Sequence, residues 1–222
     1  MTERVKKKRH RGEPSEPERE AGTGSAGAET GPASEERDDL EGVRRRAAEH
    51  PEDARIRLEL ARLYAAHDEP VLALEQLETA RSLAPDHPDI LIEHAAALTA
   101  AGRSSEAERA LRRVQRLDPE RPEPYRMLGV ILFKRGLYRP ADAELKRALE
   151  LDDTSGEAYF YRGETLNQLG RLDEALAMLE RAVQYQPRNA KAYYTMGILY
   201  DRKHLRQEAT TMYRKARDVG AA

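Results

Sequence analysis

By type, six histidines are the residues best suited to general acid-base work or metal ligation: His10, His50, His67, His87, His94 and His204. None pairs with another at the spacing of an HExxH motif, and with no cysteine in the chain thiolate metal sites and disulfides are excluded. The run Asp152-Asp153-Thr154-Ser155-Gly156 comes nearest to an acidic ligand loop. It lacks the alternating oxygen ligands and the distant Glu of a calcium hand, so it reads as a turn followed by a helix cap. Glu106 and Glu108 form a carboxylate pair, but Glu108 and Arg112 stand at i,i+4 and make an ordinary surface pair. No glycine-rich phosphate loop follows a strand, because no strand is predicted. The expectation is a non-enzymatic chain with no catalytic residue, no metal and no cofactor.

Charge offers a second kind of chemistry. Arg4, Lys6, Lys7, Lys8, Arg9 and Arg11 form a basic block at the N-terminus, although the whole chain carries a net charge of -2. Lys6, Lys7, Lys8 and Arg9 could touch nucleic acid or anionic membrane, where each basic residue near a lipid surface is worth about 1 kcal/mol. Seven glutamates follow in the next segment and can fold back on the block, so a solvated tail is the better reading. Residues 1–38 have almost nothing apolar to bury and are expected to be disordered. The sequence has no apolar run near the roughly 18 residues of a membrane span and no apolar secretory core, which leads to a cytoplasmic expectation.

The elements emerge from the 34 residues Gly156 to Asn189. Tyr159, Gly163 and Leu166 share one helical face, Gly170-Arg171 breaks the chain, and Leu172, Ala175, Leu179, Ala182 and Tyr185 form a second apolar stripe before Pro187. Gly163, Ala175 and Ala182 are small where two helices must cross closely. The same frame recurs every 34 residues without insertion: Ala61, Ala95, Gly129, Gly163 and Gly197 at one site, Ala73, Ala107, Ala141, Ala175 and Ala209 at the next. A third site holds Ala80, Val114, Ala148, Ala182 and Ala216. Five units follow, 54–87, 88–121, 122–155, 156–189 and 190–222, behind an N-terminal capping helix over 39–53 with Asp38 or Asp39 as its N-cap and Arg44, Arg45 and Arg46 on its outer side.

This frame resembles the tetratricopeptide repeat: an aromatic, Leu-Gly, a helix-breaking Gly, then Ala, a large apolar residue, Ala and Pro. Arg162, where Leu is expected, is a departure. The resemblance implies an all-α fold, a right-handed superhelical solenoid of helix-turn-helix repeats, and a function as a protein-protein interaction adaptor that holds a partner segment in a concave groove lined by the first helices. Carried over position by position, it places Arg126, Met127, Val130, Phe133, Phe160, Tyr161, Asn167, Tyr194 and Ile198 in a partner-binding groove. Arg126 and Asn167 are its polar anchors. Arg62, Glu59 and Glu93 give the groove a charged N-terminal half. The implied partner is a protein or peptide segment with spaced apolar residues; the alternatives are a self-associating scaffold, or tethering to nucleic acid or membrane through the basic block. A filled inner wall, with the aromatic residues packed on one another, is the competing reading of the aromatic half.

Two further positions carry expectations. His94 takes the site held by Leu60, Leu128 and Met196 in other units and is expected to be a core histidine bonded to a neighbour. In the last helix, Thr210 and Arg217 replace Leu176 and Val183 on the side that would meet a sixth unit, as expected of an array that ends there.

Overall fold

The computed structural model describes residues 32–220, and these form eleven helices and no strand. They are α1 (Pro32–Glu49), α2 (Ala54–Ala66), α3 (Pro70–Leu83), α4 (Pro88–Ala100), α5 (Ser104–Leu117), α6 (Pro122–Lys134), α7 (Tyr138–Leu151), α8 (Gly156–Gln168), α9 (Leu172–Tyr185), α10 (Ala190–Arg202) and α11 (Arg206–Gly220). The basic block and the residues after it up to 31 lie outside the described residues, whereas 32–38, expected to be part of the disordered tail, are helical. From α2 onward the helices pair, and each first helix begins 34 residues after the last. Helix starts follow local chemistry. Proline occupies the first helical position of α3, α4 and α6, where its missing N–H is no loss, and Asp53, Ser155 and Asn189 accept backbone N–H bonds at the starts of α2, α8 and α10.

Within each unit the turn uses one left-handed residue at a fixed place. Gly102, Gly136 and Gly170 have φ of 76°, 76° and 77°, and in the first and last units Asp68 and His204 take the same conformation at 59° and 60°. The crossing point is equally regular. A Cβ on Gly129 would stand 2.5 Å from Leu145 Cγ, and one on Gly197 the same distance from Tyr213 Cε1. Small residues there let the paired helices approach until the leucine or tyrosine of the second helix covers the backbone of the first.

The core is handed from unit to unit. Val43 and Ala47 of α1 pack with Leu60, Tyr64 and Ala73; Leu77 and Ala80 pack with Ile90; and Leu176 and Leu179 pack with Ala192, Met196 and Leu199. Burying one such side chain contributes roughly 1.5–3 kcal/mol, so each unit draws much of its stability from the next. The first helices α4, α6, α8 and α10 touch one another in succession, whereas the second helices are not joined in the same way. That asymmetry makes the first-helix side the inner, concave face.

Polar side chains bridge every joint on both sides. Along the first helices these are Arg62–Glu93 (3.1 Å), Arg121–Asp89 (2.6 Å), Arg126–Glu157, and Arg202 Nη1 donating to Asn167 Oδ1 (2.6 Å). On the second-helix side they are Arg103–Glu78 (2.9 Å), Arg135–Glu108 (2.5 Å), Arg171–Asp142 (3.0 Å) and Lys203–Asp173.

The N-terminal helix departs from expectation. Its described part runs from Pro32 to Glu49, so Asp38 and Asp39 lie within it and neither is its N-cap; a proline is tolerated in a helix's first turn, where its missing N–H is no loss. Arg44 does not simply face solvent: its Nε donates to the Tyr64 hydroxyl at 2.9 Å, and its guanidinium sits 5.3 Å from the Tyr64 ring centre. Arg46 pairs with Glu59 at 2.6 Å. Two of the three arginines therefore hold α1 against the first unit. His94 departs as well: it is only 5% exposed, but neither ring nitrogen has a hydrogen-bond partner among the described residues, so the expected bond to a neighbour is not made. Arg162 takes the same position in unit four and is met there by Asp142 at 2.9 Å, whereas the residue of unit one that corresponds to Asp142 is Leu74, which offers His94 nothing.

Candidate binding groove

The concave face falls into two parts. Its N-terminal half is charged, and both of its carboxylates are held, Glu59 by Arg46 and Glu93 by Arg62. In the C-terminal half, Phe133 of α6 meets Tyr161 of α8 edge-on at 5.7 Å between ring centres, and Phe160 meets Tyr161 at 5.2 Å. Both geometries suit the aromatic quadrupole. Met127 and Phe133 also lean on the core of units two and three, and Phe160 and Tyr161 on the cores beyond it. These four are half-buried, as is Val130.

Tyr194 behaves differently. It is 56% exposed, with its ring tilted against Tyr213 of α11 at 5.5 Å. With Phe160, Ile198, Thr195, Tyr213 and Ala216 it lines an open concavity of about 930 Å³ between α8, α10 and α11, rimmed by Lys191 and Arg217. The end of the array is thus not uniformly polar: Arg217 stands at the rim of an apolar hollow. Burial, then the hydrogen bond donated to Asp201 at 2.7 Å, pushes the Tyr213 hydroxyl up to about 12, so it stays a donor at any physiological pH.

Glu164 is the one acidic group in this hollow. It occupies the frame position of Val130 and Ile198, which marks it in the sequence as inward-facing; its charge, unlike their apolar side chains, gives no signal of its own there. Its Oε1 is buried without a hydrogen-bond partner among the described residues. Burial pushes its carboxyl above the usual range, with the Thr195 hydroxyl pulling the other way.

The two expected polar anchors are not free. Arg126 is engaged by Glu157 of the next unit, and Asn167 accepts from Arg202. Both pairs bridge neighbouring first helices, a role that neither residue's own position in the frame announces. Of the nine expected residues, the structure gathers Phe160, Tyr194 and Ile198 around one hollow, and sets Phe133 and Phe160 each against Tyr161; Arg126 and Asn167 belong to the joints.

No described helix is long and apolar enough to cross a membrane. A family model described as TPR repeat matches residues 163–203, and two described as tetratricopeptide repeat match residues 65–131 and 144–177. A comparison with curated protein sequences found no match. Among solved structures, YrrB, described as a TPR protein with an unusual peptide-binding site, is 28% identical over 81% of this chain and 93% of its own, with a TM-score of 0.66. MamA from Desulfovibrio magneticus RS-1 is 20% identical over 76% of this chain and 95% of its own, with a TM-score of 0.68. A chain of the APC/C hetero-tetramer Cut9-Hcn1 is 16% identical over 84% of this chain and 37% of its own, with a TM-score of 0.72. The last two likenesses concern the fold alone. With its 34-residue frame, its shared core and three matching family models, the chain belongs to the tetratricopeptide repeat family.

Proposed function

We propose that this protein is an interaction adaptor that holds a peptide segment of a partner on the concave face of its last three units, anchored in the hollow between α8, α10 and α11. Repeats of this family generally serve as non-enzymatic interaction modules, and a peptide-binding site is described for YrrB. The observation that carries the reading is Tyr194, a large aromatic residue left exposed beside an apolar hollow, since exposed apolar surface usually marks an interaction site. Two or three apolar contacts at roughly 1.5–3 kcal/mol each, with polar contacts to Glu164 and Lys191, would reach about micromolar affinity. In this reading α1 caps the array.

The test is selection of peptides from a displayed library on the full chain, followed by calorimetric titration of the best binders. Tyr194→Ala and Ile198→Ala should weaken them by about 1–3 kcal/mol, as hot-spot truncations do, while Glu59→Ala leaves them unchanged. Selected peptides that bind all three variants like the parent would overturn the assignment.

A further inference from the structure

The hollow between α8, α10 and α11 belongs to a unit whose charge sets it apart. Unit five, residues 190–222, holds seven Lys and Arg against three Asp and Glu, a balance of +4 in a chain of net charge -2. Two of these cations stand at the mouth of the hollow, Lys191 in the first turn of α10 and Arg217 in the last turn of α11. They share one end of it, because α11 returns along α10 until a Cβ on Gly220 would lie 3.6 Å from the Cβ of Ala190. Lys191 is out of keeping with its place. The first turn of a helix favours carboxylates, and the same frame position holds Asp89, Glu123 and Glu157 in units two to four, where Arg121 and Arg126 engage them. Lys191 is exposed, opposes the helix dipole and forms no ion pair among the described residues. A charge reversed in one unit, at a local cost in stability and beside an apolar hollow, calls for an anionic partner.

The rest of the lining says what else that partner must carry. Phe160, Tyr194 and Ile198 offer an apolar seat, and Tyr194 and Ile198 follow Lys191 by about 5 and 10 Å along α10. An extended chain covers that distance in about two or three residues. Glu164, the one acidic group of the lining, has its Oε1 buried and its carboxyl against the Thr195 hydroxyl, and Asp218 stands 3.7 Å from Arg217 and leaves Lys191 untouched. The two cations stand at one end of the hollow and not along a track such as a nucleic-acid backbone requires. The chain's own acidic segment, 13–36, has no large apolar residue with which to fill the seat. We propose, resting on the adaptor reading above, that the hollow takes an acidic peptide segment of a partner protein: one large apolar residue sits among Phe160, Tyr194 and Ile198, and Asp or Glu about two or three residues to one side pairs with Lys191 and Arg217.

Peptides enriched from a displayed library on the full chain should carry an apolar anchor with Asp or Glu at that spacing. The best of them is titrated calorimetrically beside its amide version, in which Asn and Gln replace Asp and Glu. Raising sodium chloride from about 50 to 500 mM should weaken the acidic peptide about fivefold and the amide version less than about twofold. Lys191→Glu restores the residue of Glu123 and Glu157, so it should fold as well as the parent while weakening the acidic peptide about tenfold and sparing the amide version. Arg217→Gln should act in the same direction, severalfold. Tyr194→Ala should weaken both versions, since the apolar seat is common to them. Selected peptides that lose affinity in Tyr194→Ala but contain no acidic residue, or that bind Lys191→Glu like the parent, overturn the proposal and leave the groove standing; peptides indifferent to Tyr194→Ala overturn both. Single-stranded oligo(dT) of about 20 nucleotides bound more tightly than any selected peptide, or a dimer in sedimentation that Tyr194→Ala dissociates, gives the hollow another occupant and overturns the proposal too.

Discussion

Leu179 Cγ stands 2.7 Å from the place where a Cβ on Gly163 would lie, with the carbonyl oxygen of Ala175, one turn earlier on the same helix, at 3.3 Å. A methyl group there cannot be accepted by moving one side chain, because Leu179 is fully buried against the next unit. Gly163→Ala should therefore destabilise by about 1–3 kcal/mol through overpacking, outweighing the roughly 1 kcal/mol by which Ala is the better helix former. Urea unfolding monitored by circular dichroism gives the sign. A stabilised variant would show that the helices part more easily than this packing implies.

Asp68 and His204 occupy the left-handed turn position that the three inner units give to glycine. For a residue with a side chain this conformation costs on the order of 1 kcal/mol, partly offset by the greater freedom a glycine has when unfolded. His204→Gly should thus stabilise by up to about 1 kcal/mol, and Asp68→Gly by less, because Asp tolerates the conformation better. Thermal melts of the two variants beside Gly170→Ala, which should lose stability, complete the comparison.

Phe133 and Tyr194 hold inward positions in different units, yet their surroundings separate them. Phe133 packs on Tyr138, Tyr161 and the core, whereas more than half of Tyr194 meets solvent. Phe133→Ala should cost about 3 kcal/mol or more, in the range of aromatic truncations in cores, and Tyr194→Ala less than 1 kcal/mol. Equal losses in chemical denaturation would make Tyr194 part of a filled wall and remove it from the groove.

Glu164 has its carboxyl pushed up by burial, so in the folded chain it holds its proton to higher pH than in the unfolded chain. The folded state then binds more protons between the two values, and its stability falls as pH rises from the ordinary carboxylate range through the folded value. Glu164→Gln should remove that loss and be the more stable protein at neutral pH. The difference between the two melting curves across pH 4 to 8 isolates this group from Asp89, Glu106, Asp152 and Glu174, whose carboxyls shift the opposite way and are present in both proteins.

The architecture was legible because the frame is steric. Ala107, Ala141 and Ala175 are fully buried where small residues were needed, and a 34-residue period leaves little freedom in the placing of the helices. What stayed hidden was pairing. Arg126 and Asn167 point inward by position, but whether they wait for a ligand or hold Glu157 and Arg202 depends on neighbours 31 and 35 residues away. His94 was readable as a core residue and unreadable as an unsatisfied one, because its missing partner is set by Leu74 on another unit. Asp68 and His204 look like ordinary loop residues until the turn is superposed on Gly102 and Gly170. The beginning of α1 is not legible in the sequence, because Pro32 and its polar successors carry no apolar stripe.

Every joint from the first unit to the fifth is laced on both sides by polar contacts, most of them between exposed ions. Singly such pairs contribute little to stability. Set astride a series of hinges, they act on stiffness instead: bending the array either way stretches one row. Ionic strength is then a dial on elasticity, since at 1 M salt the screening length shrinks to about 3 Å and both rows slacken together. The rod grows more compliant while its rest curvature holds.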